Sequence, residues 1–300
     1  MSEGTVEFTI DGVDTPVKTW YKVFGDLKAR RPLVTLHGGP GVVHNYMLAL
    51  ADLVGTHGIP VVVYDQLGNG NSTHLPEKMG DTSFWTEALF IKQLTHLLEH
   101  LGIQDDFDLL GHSWGGMLSA RFATQQPKGL KNLIISDSPA SMKLWVEAAN
   151  KLRSQLPPDV QNILDSHETA GTTQSEEYHG AVMQFYARHL CRLNPMPQDI
   201  QDVFGWLQKD PTVYLTMNGP SEFHITGSLK EWSIIDDLHK IAVPTLLLNG
   251  KYDEAQDSVV QPYFRAIHKV KWYTFAESSH MPQYEERERY VQIVGDFLTL

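Results

Sequence analysis

Residues 111–115, Gly-His-Ser-Trp-Gly, place a serine directly after the apolar run FDLL and directly before the helical stretch GGMLSARFATQQ. In a G-x-S-x-G turn between a strand and a helix, the serine is held in a strained backbone conformation, and the small flanking residues let the turn close. The nearby helix N-terminus favours an oxyanion that develops beside the serine. The pattern predicts Ser113 as a nucleophile, and the alternative is an ordinary glycine-rich turn.

A serine nucleophile needs a histidine that takes its proton and a carboxylate that fixes the histidine tautomer. Only His268 and His280 of the 14 histidines follow the strand-like run PTLLLNG and its acidic turn, and His268 lies in the helical stretch QPYFRAIHKV. His280, after the run WYTFAE, is therefore the expected base. Asp253 is the expected orienting residue because its turn off the strand is shortest, with Glu254 and Asp257 as competitors.

The glycine-rich segment His-Gly-Gly-Pro-Gly at 37–41 follows the strand-like run PLVTL. An amide of this loop is expected to join the amide of the residue after the nucleophile in binding an oxyanion. We expect Gly39 and Trp114 to supply these two amides, and a simple tight turn is the alternative for the loop.

Apolar runs that end in glycine or a polar cluster alternate with helical stretches over most of the chain, which predicts a mostly parallel sheet covered by helices. Before them, EFTI and VKTWYKVFG flank the turn-rich DGVDTP and predict an antiparallel hairpin. Between about residues 141 and 232 the alternation stops, and aromatic-rich helical stretches are broken by LPPD, NPMP and KDP. This segment is expected to be a helical insertion.

The composition excludes several classes of function. A formal charge of −12 without a basic cluster disfavours nucleic acid and anionic membranes as partners. The sequence MSEGTVEFTIDG lacks a basic segment followed by an apolar one, and no apolar run reaches the ~18 residues of a membrane span. The single cysteine, Cys191, cannot form an internal disulfide. A cytoplasmic protein is expected.

Residues 96–100, His-Leu-Leu-Glu-His, fit the H-x-x-E-H zinc pattern on a predicted helix. The expected buried stripe of this helix turns both histidines towards solvent, so we expect no metal site. That stripe contains Phe84, Ala88, Ile91, Leu94, Leu98 and Leu101.

Five segments together resemble the proline iminopeptidase family of serine aminopeptidases: HGGPG (37–41), DQLGNGNS (65–72), GHSWGG (111–116), GKYDE (250–254) and SSHMP (278–282). The later segment MNGPSEF is similar to the same family, especially to tricorn-interacting aminopeptidases and L-amino acid amidases. The resemblance implies an α/β-hydrolase fold with a mostly parallel eight-stranded sheet flanked by helices. Residues 1–140 and 233–300 would form the core domain, and residues 141–232 would form a helical cap.

The resemblance also implies release of an N-terminal residue, often proline, from a short peptide or amino acid amide, without a cofactor. Glu222 and Glu254 match positions at which the family binds the free α-amino group of the substrate. A protonated amine taken from water needs an ionic partner, which agrees with this role, although either glutamate could be a solvated surface charge. A carboxylesterase with the same triad and a noncatalytic receptor are the rival functions.

Overall fold

The computed structural model describes all 300 residues. Its eight strands are β1 (Ser2–Phe8), β2 (Val17–Phe24), β3 (Leu33–Leu36), β4 (Val61–Tyr64), β5 (Phe107–His112), β6 (Leu130–Ser136), β7 (Thr245–Gly250) and β8 (Val270–Phe275). They form one sheet in the order β1-β2-β4-β3-β5-β6-β7-β8. β2 runs antiparallel to both of its neighbours, β1 and β4, and every other pair of strands is parallel. This arrangement confirms the predicted hairpin and the predicted α/β-hydrolase sheet.

Six helices accompany the sheet: α1 (Asp52–His57), α2 (Glu87–Leu101), α3 (Trp114–Thr124), α9 (Asp257–Ala266), α10 (Pro282–Glu285) and α11 (Arg287–Leu298). Five more, between β6 and β7, are α4 (Met142–Arg153), α5 (Pro158–Ala170), α6 (Glu176–His189), α7 (Gln198–Lys209) and α8 (Thr212–Met217). Short 3-10 segments lie at His44–Ala51, Pro76–Lys78, Ser228–Glu231 and Ile235–Lys240. None of the helices has both the length and the hydropathy that crossing a bilayer requires.

The central strands are buried on both faces, which explains their uninterrupted apolar sequences. Adjacent side chains on one strand enter different cores. Val34 and Leu36 of β3 pack with α2, α3 and α9, whereas Leu33 packs on the opposite face with α1 and α11. Covering helices on both faces make the sheet a rigid platform for the loops that leave its carboxyl ends.

The helical insertion predicted between β6 and β7 is present as α4–α8. An isolated antiparallel bridge between Ser141 and Ser233 joins the two chain segments at its base. The boundaries of separate core and cap domains, 1–140 with 233–300 and 141–232, stay a prediction.

The prediction for the buried face of α2 is wrong at two positions, Ala88 and His96. Ala88 is exposed, and His96 is half-buried because the β1–β2 hairpin covers that side of the helix. The ring of His96 stacks on Phe8 at 5.3 Å, and Nε2 of His100 lies 3.0 Å from the hydroxyl of Tyr21. The residues that α2 buries are Phe90, Gln93, Leu94, Leu97 and Leu98.

Candidate active site

Ser113 lies at the sharp turn between β5 and α3 with φ 56° and ψ −123°. A positive φ is unusual for a non-glycine residue and marks strain that the surrounding structure must hold. The two glycines of the motif make this turn possible. A Cβ at Gly111 would collide with the carbonyl oxygen of Gly115, and a Cβ at Gly115 would collide with that of Leu36. The turn therefore requires small residues at both positions.

His280 and Asp253 form a buried pair. Nδ1 of His280 lies 2.6 Å from Oδ1 of Asp253, and the same oxygen accepts a hydrogen bond from the amide of Ala255 at 2.9 Å. Burial opposes ionisation of Asp253, but the charge and hydrogen bond of His280 outweigh it, so the pKa of this carboxyl is lowered. Because Nδ1 is engaged by the carboxylate, Nε2 is the ring nitrogen left for a substrate or a nucleophile.

Two of the competing residues lie elsewhere, whereas the third, Glu254, lies close to His280. Asp257 accepts a hydrogen bond from Nδ2 of Asn249 at 3.1 Å, and exposed His268 follows the end of α9. Ser113 and His280 line the same cavity, although their side chains are not hydrogen bonded to each other in this structure. Such a bond commonly tightens only when substrate binds.

The two predicted oxyanion amides follow β3 and β5, neighbouring strands in the sheet. Gly39 borders the cavity with φ +105°, a conformation that favours glycine. Trp114 is the first residue of α3, so its amide has no acceptor within the helix. The adjacent amide of Gly38 is already bonded to the hydroxyl of Tyr46, at 2.5 Å.

Tyr46 and His112 form a relay that sequence reasoning missed. The hydroxyl of Tyr46 lies 3.1 Å from Nδ1 of His112, and Nε2 of His112 lies 2.7 Å from the carbonyl oxygen of His280. Burial, followed by the neighbouring His280, lowers the pKa of His112 to about 3, so its ring is neutral. Since the tyrosine accepts from Gly38, it donates to Nδ1, and Nε2–H donates to His280. The relay ties the glycine loop to the loop of the base.

Gln66 joins both sides of the oxyanion site. Its backbone amide donates to Nε2 of His37 at 2.9 Å, and its side-chain amide donates to the carbonyl oxygen of His37 at 2.8 Å. Its side-chain oxygen accepts from the indole N–H of Trp114 at 2.9 Å. The loop after β4 therefore braces the two segments that carry the candidate oxyanion amides, a role that no sequence motif signalled.

The two predicted amine-binding glutamates are both at the site. Glu222 lines the cavity, and its Oε1 accepts a hydrogen bond from the hydroxyl of Tyr214 at 2.7 Å. Glu254 is fully buried, neither of its carboxylate oxygens has a partner, and Oε1 lies 3.9 Å from Nε2 of His280. Burial raises the pKa of Glu222, and burial together with the nearby Glu222 raises that of Glu254 well above its usual range.

A cavity of about 820 Å³ leads to Ser113 beneath the helical insertion. Of the aromatic residues of the helical insertion, Tyr186, Phe204 and Tyr214 line it. Phe185 is instead buried against Phe223 within the insertion. Trp206 lies 6.1 Å from the ring of His74 and does not line the cavity. The apolar wall comes mainly from α6 and α7 and includes Val182, Met183, Leu190, Ile200, Val203 and Leu207.

Comparison with known families matches residues 31–287 to the alpha/beta hydrolase fold. A proline iminopeptidase of Saccharolobus solfataricus is 37% identical over 282 residues, which cover 94% of this chain and 89% of that protein.

Two solved structures are similar over almost the whole chain. VinJ is 47% identical with a TM-score of 0.94, and the match covers 99% of this chain and 98% of that one. A proline iminopeptidase of Mycobacterium smegmatis is 42% identical with a TM-score of 0.88 and the same coverage. These likenesses include the helical insertion as well as the sheet.

Replacing Glu254 with glutamine should stabilise the fold. The native state keeps a proton on Glu254 that the unfolded chain releases above its ordinary pKa of 4.5, so this carboxyl costs stability increasingly as the pH rises. We expect the E254Q variant to gain about 0.5–2 kcal/mol at pH 8 and to match the parent near pH 4.5. Thermal unfolding across this pH range measures the difference.

Asp65 provides the matched control for that experiment. It is also a buried carboxyl, but hydrogen bonds from His44 and Asn71 overcome its desolvation and lower its pKa. Asp65→Asn should therefore destabilise the protein at neutral pH. Equal destabilisation by E254Q would show that Glu254 has stabilising partners.

Tyr46→Phe should disturb the relay. It removes the acceptor of the Gly38 amide and the donor to His112, and we expect kcat to fall about tenfold or more, with a stability loss of about 1–3 kcal/mol. Kinetics with an aryl ester and thermal unfolding measure both effects. Tyr64→Phe is the control, because the hydroxyl of Tyr64 is buried without any partner. Similar kcat values for the two variants would contradict the relay.

Proposed function

The chain belongs to the proline iminopeptidase family of serine hydrolases, which have the α/β-hydrolase fold, and we propose that it removes the N-terminal residue of short peptides or amino acid amides through an acyl-enzyme on Ser113. The proposal of an aminopeptidase rests on two residues, Glu222 and Glu254. Glu222 lines the cavity, and Oε1 of Glu254 lies 3.9 Å from Nε2 of His280, so a free amine bound by these carboxyl groups would lie close to the candidate base.

An ammonium group fits these two carboxyl groups electrostatically. Removing an ammonium ion from water is costly unless charged partners replace its hydration. Glu254 has two unpartnered oxygens, and Glu222 has one oxygen engaged by Tyr214. Burial raises the pKa of both glutamates, and an ammonium group bound beside them would favour their ionised forms.

The proposed chemistry follows the serine-hydrolase pattern. His280 Nε2 takes the proton of Ser113 Oγ as the oxygen attacks the substrate carbonyl carbon, and Asp253 stabilises the resulting imidazolium. The imidazolium then protonates the leaving amine, which departs as the acyl-enzyme forms. His280 next deprotonates a water molecule as that water attacks the ester carbon, and the imidazolium returns the proton to Ser113 Oγ as the bond to the amino acid breaks.

The tetrahedral intermediates need hydrogen-bond donors for the negative oxygen. We assign this role to the amides of Gly39 and Trp114, which flank the strained turn of Ser113. Donors that are fixed before reaction need no reorganisation at the transition state, and removal of one such donor in other enzymes costs about 10²–10³ in kcat. The bracing by Gln66 supports a fixed arrangement here.

The cavity favours small substrates whose remainder is apolar. The helices of the insertion cover it, and its wall beyond the glutamates is mainly aliphatic and aromatic. A substrate with its amine at the glutamates would extend from Ser113 towards α6 and α7. We propose that residues 141–232 act as a cap that limits the length of the substrate. The buried, unpaired Cys191 agrees with a cytoplasmic location.

A carboxylesterase would use the same triad and the same oxyanion amides. It would have no need for a half-buried and a buried carboxyl group beside the base, and burying such groups costs stability. The glutamates therefore favour the aminopeptidase over the esterase.

The decisive experiment compares free and blocked amines. We expect hydrolysis of proline and alanine p-nitroanilides and loss of this activity when the same substrates are N-acetylated. Glu222→Gln should lower kcat/KM for the free-amine substrates by about 10–100-fold, because charge-assisted hydrogen bonds contribute about 1.5–3 kcal/mol. Hydrolysis of p-nitrophenyl acetate by the same variant should change far less.

Ser113→Ala is the control for the nucleophile and should remove both activities. Faster hydrolysis of the acetylated p-nitroanilides than of the free ones would contradict amine recognition and favour the esterase. An active Ser113→Ala variant would contradict the acyl-enzyme itself.

The pH dependence should differ between the two substrate classes. Since the raised pKa values make the glutamates protonate as the pH falls, kcat/KM for the free-amine p-nitroanilide should have a steeper acid limb, at higher pH, than that for p-nitrophenyl acetate. It should fall again above about pH 8, where the substrate ammonium loses its proton. Initial rates over the pH range measure both limbs, and superimposable acid limbs would contradict the proposed role of the glutamates.

A further inference from the structure

Asp137 is a buried carboxyl group that the proposed chemistry does not yet use. It follows the last residue of β6 with φ 53°, and its amide donates to the carbonyl oxygen of Leu248 on β7 at 2.7 Å. Each of Asp137, Asp253 and His280 places a side-chain N or O atom within 4.8 Å of those of the other two. The strand ends therefore bring a second aspartate against the pair that is proposed to activate Ser113.

Each aspartate has one oxygen without an assigned partner. Oδ1 of Asp253 is occupied by His280 and Ala255, whereas its Oδ2 has no partner. Oδ2 of Asp137 accepts from the hydroxyl of Ser136 at 2.5 Å, whereas its Oδ1 has no partner. Two unsatisfied acceptors in one buried cluster are costly, and a single proton between the carboxyl groups would satisfy both.

The neighbouring donors are already committed. Ser136 gives its only hydroxyl proton to Asp137, so the hydroxyl of Tyr290, 2.9 Å away, donates to Ser136. His112 Nε2 lies 3.7 Å from Oδ2 of Asp137 but is bonded to the carbonyl oxygen of His280. These donors are therefore unavailable to Oδ1 of Asp137 and Oδ2 of Asp253. The remaining donor is a proton on one of the two carboxyl groups.

We propose that Asp137 is a positioning residue for the reaction: its carboxyl group, protonated on Oδ1, donates a hydrogen bond to Oδ2 of Asp253 and fixes the carboxylate that holds His280. This inference rests on the proposed triad but not on the proposed recognition of an amine. The donor is neutral, so it orients Asp253 without neutralising the charge that stabilises the imidazolium.

The electrostatic surroundings agree with this assignment. Burial raises the pKa of Asp137 well above its usual range, and the charge of Asp253 and the hydrogen bond with it raise it further. The other titratable groups around it are the neutral His112, Tyr46, Tyr290 and Glu285. A bridging cation fits poorly, because Nδ1 of His280 and Oδ1 of Asp253 are only 2.6 Å apart and already share a hydrogen bond.

The test compares Asp137→Ala with Asp137→Asn. Alanine removes the donor, and we expect kcat/KM for p-nitrophenyl acetate and the rate of fluorophosphonate labelling to fall about 10–100-fold, as for other residues that orient a reactive group. Asparagine keeps a neutral donor, so both rates of the Asn variant should be at least about tenfold higher than those of the Ala variant. The acid limb of the Asn variant should coincide with that of the parent.

Asp108→Asn is the matched control. Asp108 is a buried aspartate on β5, bonded to Asn132 at 2.8 Å, and burial raises its pKa to about 6. It does not contact the triad, so this variant should keep the parent's labelling rate. Thermal unfolding of all variants separates loss of fold from loss of orientation.

Three results would overturn the inference. Full activity of Asp137→Ala would show that no positioning is needed. An Asn variant that folds but is as slow as the Ala variant would exclude a neutral donor. A shift of the Asn variant's acid limb to lower pH by about one unit or more would show that Asp137 is an anion in the parent, because the imidazolium would have lost a stabilising charge.

Both probes need Ser113 and His280 but no amine site, so a failed aminopeptidase assignment would leave this test intact. Ser113→Ala, measured in parallel, should not be labelled. Equal labelling of that variant would overturn the triad and, with it, the role of Asp137.

Discussion

The site depends on keeping one buried carboxylate charged close to three other carboxyl groups, two of them buried and one half-buried. Asp253 has the imidazole of His280 and a backbone amide as partners, and its pKa is lowered. The pKa values of Asp137, Glu222 and Glu254 are raised, chiefly by burial. Full ionisation of all four would concentrate negative charge in a region that water does not screen. An unequal distribution of hydrogen bonds and protons among these similar side chains limits their mutual repulsion.

The sheet supplies the precision that this distribution requires. Chain order reverses between β3 and β5, and a crevice opens at such a point in parallel sheets. The strained Ser113 turn and the Gly39 loop flank this crevice. Gln66 braces the loop against Trp114, and the relay through His112 reaches the backbone of His280. Segments far apart in sequence are thus fixed by buried hydrogen bonds rather than by the strands alone.

The amino-acid sequence predicts those features of the fold and the candidate site that depend on short segments of chain. Ser113 lies in a motif whose glycines are sterically required, and Asp253 and His280 each follow a recognisable strand. The orienting Asp137 could not be distinguished from an ordinary polar residue after a strand, because its role depends on the register of β6 against β7. The sequence does not predict the buried face of α2 correctly for a similar reason. The β1–β2 hairpin that covers part of this helix is brought against it by tertiary structure.

The unpartnered Glu254 connects substrate selection with catalysis. Burial raises the pKa of Glu254 well above its usual range, so its ionised form is disfavoured unless a cation lies beside it. A bound ammonium group favours the ionised form of Glu254, whose Oε1 is 3.9 Å from Nε2 of His280. That charge would stabilise the imidazolium that forms as Ser113 attacks, and it is present only for substrates that bring a cation. In the proposed mechanism, an amine-bearing substrate would therefore lower its own activation barrier by making Glu254 an anion.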